Sequence, residues 1–362
     1  MNKEIEDIEN FLKKTYIAYK KDYKIKYETY FKMGGNVKLF ISPNEFNQFK
    51  ELIIFLKKIN ISFKIIGFTS NIILLDELKY FVIISTKNLT KLIVENNTIE
   101  VEAGYSLQDF VKVTVINQSK GFEGLEGIPA SMGGAIFMNA GAYGDNISDN
   151  LISLECIDDN NNFITLKKDE CDFQYRNSLF KKNNNYSIIR AKFQLNKGDR
   201  KNIQKKIEIF HSARHSYQDF TYPNLGSMIS LTGDIYSKII KKSLKYNLLY
   251  WILKYLYKNP ISKFINRKRA NNKVFNKLIL NYLKKEKNIN MEYILSSKNA
   301  NILINDGTTS SKKIIDYIYL MHDLLDRKFH IENEIVLEPI YDISKDFEAT
   351  YAYFIQQQEE RK

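Results

Sequence analysis

The chain has 362 residues, too many for one ordinary core, which predicts two or three domains. Apolar residues at 44% and aromatics at 13% exclude a mainly disordered chain. The net charge of +12 is concentrated: residues 238–287 hold fifteen basic residues and one acid, Glu286, and the remainder is near neutral, which excludes a uniformly basic nucleic-acid binder.

Residues 1–21 alternate acids and lysines around Ile5, Ile8, Phe11 and Leu12, the pattern of an amphipathic surface helix without the apolar centre of a signal peptide. Residues 37–41 read as a strand, and 44–59 have helical spacing (Phe46, Phe49, Leu52, Phe55, Leu56). Residues 63–66 are a second strand that ends at Gly67, so a small α/β unit with a parallel pair is expected. Short strands follow at 72–75, 81–84, 92–94 and 98–101. Ser106 then caps a helix through Leu107, Phe110 and Val111, with Asp109 at its third position.

Beyond the glycine-rich stretch 121–144, residues 152–157, 163–166 and 186–195 read as strands of a mixed sheet, and 198–214 as a charged helix opening a third unit. Alternation resumes at 300–305, before a helix over 310–328. No run of eighteen uncharged apolar residues occurs, so no helix is expected to span a membrane. Cys156 and Cys171 are too few for a disulfide framework and lack metal-ligand spacing, which predicts buried thiols in a reducing cytoplasm. His322 and His330 have no partners at metal-binding spacing, and no metal is assigned.

Seven of the fifteen glycines fall between Gly121 and Gly144, in GFEGLEGIPASMGG followed by NAGAYG. Glycines let a backbone approach a ligand closely, and successive exposed N–H groups can hold a pyrophosphate. Tight turns between strands would also use them, so composition alone leaves both readings open. The spacing does not match the strand–GxGxxG–helix dinucleotide fingerprint.

The whole string resembles the central signature of the FAD-dependent UDP-N-acetylenolpyruvoylglucosamine reductases, G-L-E-x-L-x-G-I-P-G-x-x-G-G-x-x-x-x-N-x-G-A-Y-G. Further landmarks follow the family's order. Tyr30-Phe31-Lys32-Met33-Gly34-Gly35 is similar to T-F-K-I-G-G, and Gly67-Phe68-Thr69-Ser70-Asn71 to the first flavin loop, G-x-G-S-N. Tyr175-Arg176-Asn177-Ser178-Leu179-Phe180 resembles Y-R-D-S-I-F, and Pro223-Asn224-Leu225-Gly226-Ser227 resembles P-N-A-G-S. The run from Asn299 to Asn305 is similar to H-A-N-F-I-I-N, and Leu337-Glu338-Pro339 closes with L-E-P.

The resemblance implies an α/β and α+β chain: a two-part FAD-binding fold of the vanillyl-alcohol-oxidase or PCMH-like kind, plus a third α+β substrate domain. The expected boundaries are 1–85 and 86–197 for the FAD-binding subdomains, 198–347 for the substrate domain, and 348–362 for a C-terminal tail. It implies a cytoplasmic enzyme of peptidoglycan precursor synthesis, in which NADPH reduces FAD and hydride then passes to UDP-GlcNAc-enolpyruvate, giving UDP-N-acetylmuramate. The matched positions make Gly67, Thr69, Ser70, Asn71, Pro129, Gly133, Gly134, Asn139, Gly141, Ala142, Tyr143 and Gly144 the FAD-binding set. Neither glycine-rich loop offers a His or Cys for covalent attachment, so the flavin is expected to be dissociable. The same match makes Arg176 the cation that holds the enolate and Ser227 the proton donor. Without it, Arg176 reads as a surface ion-pair partner, Ser227 as a turn residue, and His211 and His215 as helix-surface or core histidines.

The sequence departs from the pattern in four places. The family's L-E-P-E, whose second glutamate works with the serine, ends here in Ile340, which cannot carry a proton. Glu338 would share a face with position 340 if both lay in one strand. Thr69 stands where glycine is usual, and a β-branched residue tolerates φ > 0 poorly. Met228-Ile229-Ser230-Leu231 replaces F-K-N-P, and Asn299 replaces the His of H-A-N. Besides the parent reductase, two readings stay open: a flavoenzyme of the same fold acting on another nucleotide sugar or glycan, or a catalytically impaired FAD-binding homologue.

Residues 238–290 match no landmark and read as a basic helical insertion. Ile239, Ile240, Leu244, Leu248, Trp251, Ile252 and Tyr255 recur at helical spacing, with Lys238, Lys241, Lys242, Lys245 and Lys254 largely on the other side, and Lys258-Asn259-Pro260 supplies a helix breaker. Such a segment fits a hairpin packed on the third domain or a second subunit, or an anionic membrane surface. No nucleic-acid reader motif is present.

Overall fold

The computed structural model describes residues 2–183, 185–231, 233–258, 273–289, 291, 294–326 and 329–359. The first sheet is built on Leu78–Ser85, whose residues are buried on both faces and which therefore takes the central place. Asn36–Ser42 pairs with it in parallel on one side, and the polar strand Ala18–Lys24 adds antiparallel beyond that. On the other side Lys64–Ile66 pairs in parallel with its end, and Ile340–Ile343 pairs antiparallel with its beginning. The strands at 37–41 and 63–66 are thus parallel but not adjacent, because the doubly buried Leu78–Ser85 lies between them.

Leu39, Ile41, Val82 and Ile84 pack under the helices Asn2–Lys14 and Phe46–Lys58, which contribute Ile5, Ile8 and Leu12, and Phe49, Leu52, Ile53 and Leu56. Phe11 stacks on Phe55 with ring centroids 4.0 Å apart, fixing the first helix to the second.

The second sheet has the order Phe163–Lys167, Leu151–Ile157, Ser187–Gln194, Thr98–Glu102, Leu92–Glu95. Every pair in it is antiparallel, not mixed as the sequence suggested. The turn at 158–162 is too short for a crossover connection, so its two strands must run in opposite directions. The helix Leu107–Ile116 covers this sheet, and the Ser106 hydroxyl accepts the Asp109 N–H at 3.2 Å, as expected of an N-cap. Cys156 and Cys171 are free and buried, and burial pushes both thiols up to about 12, so neither is a nucleophile at neutral pH.

The third layer begins with the helix Arg200–Tyr217, capped by Asp199, and continues through the paired strands Asn224–Ser227 and Ile302–Ile304. Its helices Ile235–Ile239, Lys273–Glu286 and Ser311–Leu324 share one core with the first sheet, where Phe40, Tyr80 and Ile83 meet Tyr236, Phe275, Ile314 and Met321. The chain also returns to the first unit: Glu334–Val336 runs parallel with Ile72–Leu74 before Ile340–Ile343 joins the central strand. The expected C-terminal tail is a helix, Glu348–Glu359, docked through the buried Phe354.

In the basic segment, Leu244–Lys258 and Lys273–Glu286 form a hairpin, with Tyr246 against Tyr282 (5.4 Å) and Tyr250 against Phe275 (5.5 Å). Asn259 and Pro260, and the rest of 259–272, lie outside the described residues. The hairpin does not pack by the predicted stripe. Ile239 and Ile240 are buried, but Leu244, Leu248, Trp251, Ile252 and Tyr255 face solvent. Tyr246 and Tyr250 take the inner face because their hydroxyls find partners there, the Asn281 carbonyl and the Asp234 carboxylate.

Candidate active site

The first loop, residues 67–71, connects Lys64–Ile66 to Ile72–Leu74 and lies against the second glycine-rich loop. A Cβ on Gly67 would stand 1.9 Å from Ser131 Oγ, so the loops meet only because this position is glycine. The N–H groups of Phe68, Thr69, Ser70 and Asn71 make no hydrogen bond among the described residues. Successive free donors in a loop containing a left-handed residue form a concave anion site, the cradle a pyrophosphate needs. Thr69 is that residue, with φ +60°, despite its branched side chain. Its hydroxyl accepts the Tyr30 N–H at 2.7 Å and donates to the Phe68 carbonyl at 2.6 Å, which offsets a backbone cost of about 1–3 kcal/mol.

The second loop is more self-contained than its sequence suggests. The N–H groups of Met132 and Gly133 bond the Tyr105 and Ala103 carbonyls, and that of Gly134 bonds Ser131 Oγ. Gly133 serves close packing, since a Cβ there would meet Ala103 Cβ at 2.9 Å. Successive unpartnered N–H groups therefore lie in 68–71, whereas those of Gly133 and Gly134 already have partners. Pro129 precedes the Ser131 cap. Gly141 and Ala142 pair with Asn146 and Asp145 in a two-residue hairpin, with Tyr143 and Gly144 at its tip, both at positive φ. The contacts of this hairpin run to Gly124 and to the Arg200–Tyr217 helix, where Tyr143 stacks on Phe210 at 4.6 Å.

Asn139 links the loops to the catalytic candidates. Its side-chain N–H donates to the Gln174 carbonyl at 3.0 Å, at the base of the turn that carries Arg176, while its buried Oδ1 has no partner. A buried acceptor without a partner is costly unless a ligand N–H satisfies it. The residues present thus fit FAD: free anion-binding donors in 68–71, a side-chain-free approach at Gly67, and an orphaned buried acceptor at Asn139.

Arg176 sits at φ +53° in the turn closed by Gln174 and Asn177. Its guanidinium lies 5.2 Å over the Tyr175 ring and 3.8 Å from Glu332 Oε2. Ser227 ends the Asn224–Ser227 strand after Gly226 (φ +75°), and its hydroxyl has no hydrogen-bond partner among the described residues. The segment that joins them is Glu332-Asn333, which sequence reasoning missed. The Glu332 N–H donates to the Met228 carbonyl at 2.8 Å, its carbonyl accepts from Asn71 at 3.1 Å, and its carboxylate meets Tyr175 and Arg176. Asn333 bridges the Leu225 carbonyl and the Asn71 side chain. The first loop, the Arg176 turn and the Ser227 strand therefore converge on two residues. No local pattern marks them, because their partners are distant in sequence.

Arg214 was also missed. It lies over the Tyr143 ring and against Gly127, and its Nε and Nη2 are buried without partners, a donor set that suits a phosphate. His211 and His215 are exposed on the same helix, as expected, with His211 Nδ1 3.0 Å from Glu126. Two landmarks act as clamps: Asn305 bonds the Phe31 and Lys32 carbonyls, and Asn301 bonds both backbone groups of Ile229. Ile340 packs its side chain on the apolar core, opposite Tyr80. Glu338 is exposed and lies between strands, so it does not share a strand face with position 340.

Gly67→Ala is expected to weaken FAD binding about tenfold or more, since overpacking a close contact costs roughly 1–3 kcal/mol. Ser131→Gly in the same chain should recover part of the loss. Titrating apoprotein with FAD and reading visible absorbance checks both, and unchanged affinity in the single variant would count against a cofactor cradle at this contact.

Residues 37–167 match the family model described as FAD binding domain. Together with the paired sheets and the cradle, this defines a flavoprotein of the two-part FAD-binding fold. The chain is 31% identical over 304 residues to a UDP-N-acetylenolpyruvoylglucosamine reductase of Clostridium novyi, covering 84% of this chain and 86% of that protein. It is 36% identical over 242 residues to the protein of that name from Clostridium kluyveri, covering 67% and 77%, and 38% identical over 198 residues to that of Fervidobacterium nodosum, covering 55% and 64%. The crystal structure of UDP-N-acetylenolpyruvylglucosamine reductase from Thermus caldophilus superposes with a TM-score of 0.62 at 18% identity, covering 88% of this chain and 98% of that one, a likeness of fold. The chain belongs to the UDP-N-acetylenolpyruvoylglucosamine reductase family.

Proposed function

We propose that this protein reduces UDP-GlcNAc-enolpyruvate to UDP-N-acetylmuramate, using NADPH and non-covalent FAD, as a cytoplasmic step of peptidoglycan precursor synthesis. The observation that carries the reading is the convergence of the Arg176 turn, the Ser227 strand and the cradle loop on Glu332-Asn333. Bound FAD supplies hydride transfer from NADPH to the enolpyruvyl double bond. Phe68 to Asn71 hold its pyrophosphate through their N–H groups.

As hydride adds to one carbon, negative charge builds on the neighbouring carbon and its carboxylate. Arg176 takes that charge with a planar, permanently charged fork, exchanging its long contact with Glu332 for the substrate carboxylate. The Ser227 hydroxyl gives its proton to the carbanion carbon, so hydride and proton together saturate the bond. Glu332 is a positioning residue that holds Arg176 and Tyr175 in register with the cradle. In the basic segment, the exposed face of Leu244–Lys258 offers an accessory contact surface.

One observation favours a second reading, a flavoenzyme of this fold acting on another nucleotide sugar: Ile340 leaves no carboxyl at the position that assists the serine. Purified protein should be yellow, bleach anaerobically with NADPH, and regain colour on adding UDP-GlcNAc-enolpyruvate. A protein that takes up no FAD refutes both readings. One that bleaches but is not reoxidised by this substrate points to the second.

A further inference from the structure

The helix Leu244–Lys258 presents a continuous apolar face to solvent. Leu244, Leu248, Trp251, Ile252 and Tyr255 follow the i, i+4, i+7, i+8, i+11 spacing of one stripe, and Leu256 widens it. Leu244 is 90% exposed, Trp251 54% and Tyr255 71%. The helix is held from behind by Tyr246 and Tyr250 alone among its fully buried residues, so the stripe is spare and its loss would leave the core intact. A contiguous face of this kind marks an interaction site.

Charge decides what covers it. The helix carries no acid, Lys241 and Lys245 are exposed and take no ion pair among the described residues, and Lys254 lies 4.5 Å over the Trp251 ring at the edge of the stripe. The second arm of the hairpin turns Lys273, Lys277, Lys284 and Lys285 to solvent. A second copy of this chain brought face to face would oppose two blocks of fifteen basic residues and one acid each. An anionic bilayer meets the lysines with opposite charge and the Leu, Ile and Trp side chains with hydrocarbon.

We propose that the face of Leu244–Lys258 is a peripheral docking surface for anionic lipid membrane, with the apolar stripe entering the headgroup boundary and the lysines on phosphates. Among the described residues no helix is long and apolar enough to cross a membrane, so the attachment is parallel to the surface.

Trp251 is the only tryptophan of the chain, which gives the test a local reporter. Full-length protein is mixed with phosphatidylglycerol vesicles, with neutral phosphatidylcholine vesicles, or with buffer. The expected result is cosedimentation with the anionic vesicles, weakened at least tenfold by 0.5 M salt, and a blue shift of Trp251 emission confined to that sample. Leu248→Asp with Ile252→Asp should cut binding at least tenfold while NADPH oxidation and FAD content stay unchanged. Equal sedimentation with and without vesicles overturns the proposal. So does vesicle binding that the double substitution leaves intact, or a concentration-dependent dimer in buffer that the same substitution abolishes, which would assign the face to a second copy.

Discussion

Arg176→Met should give a folded, yellow protein that NADPH bleaches at the wild-type rate, while reoxidation by UDP-GlcNAc-enolpyruvate slows about 10²–10³-fold. The magnitude is that of removing one preorganised donor from a developing oxyanion, roughly 2.7–4 kcal/mol. Methionine keeps the unbranched apolar stem over Tyr175 and removes only the charged fork. Reduction by NADPH does not build charge on the substrate carboxylate, so the two half-reactions must separate. Anaerobic stopped-flow absorbance resolves them, and equal slowing of both would assign Arg176 to the fold and not to the chemistry. Glu332→Gln is the companion. It keeps the shape and the backbone bonds to Met228 and Asn71 but removes the charge facing Arg176, so its effect on reoxidation should be smaller, about tenfold.

How much of this was legible differs from element to element. The helix over Leu107–Ile116 and its Ser106 cap follow from local periodicity and local hydrogen bonding, which a sequence states directly. The strand Ala18–Lys24 does not: three lysines and an aspartate give no apolar alternation, and it exists because Asn36–Ser42 offers an open edge. Ile340–Ile343 joins the first sheet through a pairing with Leu78–Ser85, more than 250 positions away, and no local signal encodes that. In Leu244–Lys258 the period revealed a stripe but not which side the protein would cover. Two tyrosines whose hydroxyls find partners on the inner side outcompeted the larger aliphatic face.

The site follows the same rule. Glycines announce close approach, and Gly67 stands so close to Ser131 that a Cβ would not fit. Which N–H groups remain free is a property of neighbours: those of Gly133 and Gly134 are consumed by Ala103 and Ser131, and the free ones lie in the first loop. Glu332 illustrates the limit, since an acid between His330 and Asn333 reads as a surface turn until Arg176, Asn71 and Met228 are brought to it.

Ser227→Ala is the second large effect. General acid catalysis contributes about 10²–10⁴-fold, so reoxidation by the enolpyruvyl substrate should fall within that range while bleaching by NADPH and FAD affinity do not change. The hydroxyl has no partner among the described residues, so its removal leaves no unsatisfied group and costs little stability. The same experiment bears on Ile340. Its side chain rests on the apolar core beside Tyr80, so a carboxyl introduced there would be partly desolvated, which raises its pKa and favours the protonated form that can resupply a serine. Ile340→Glu is therefore expected to raise turnover several-fold in the Ser227 background and to do nothing in Ser227→Ala, whereas Ile340→Gln, polar but unable to give up a proton, should do nothing in either. A gain from glutamine equal to that from glutamate would mean that polarity at position 340, and not a proton, is what the reaction lacks.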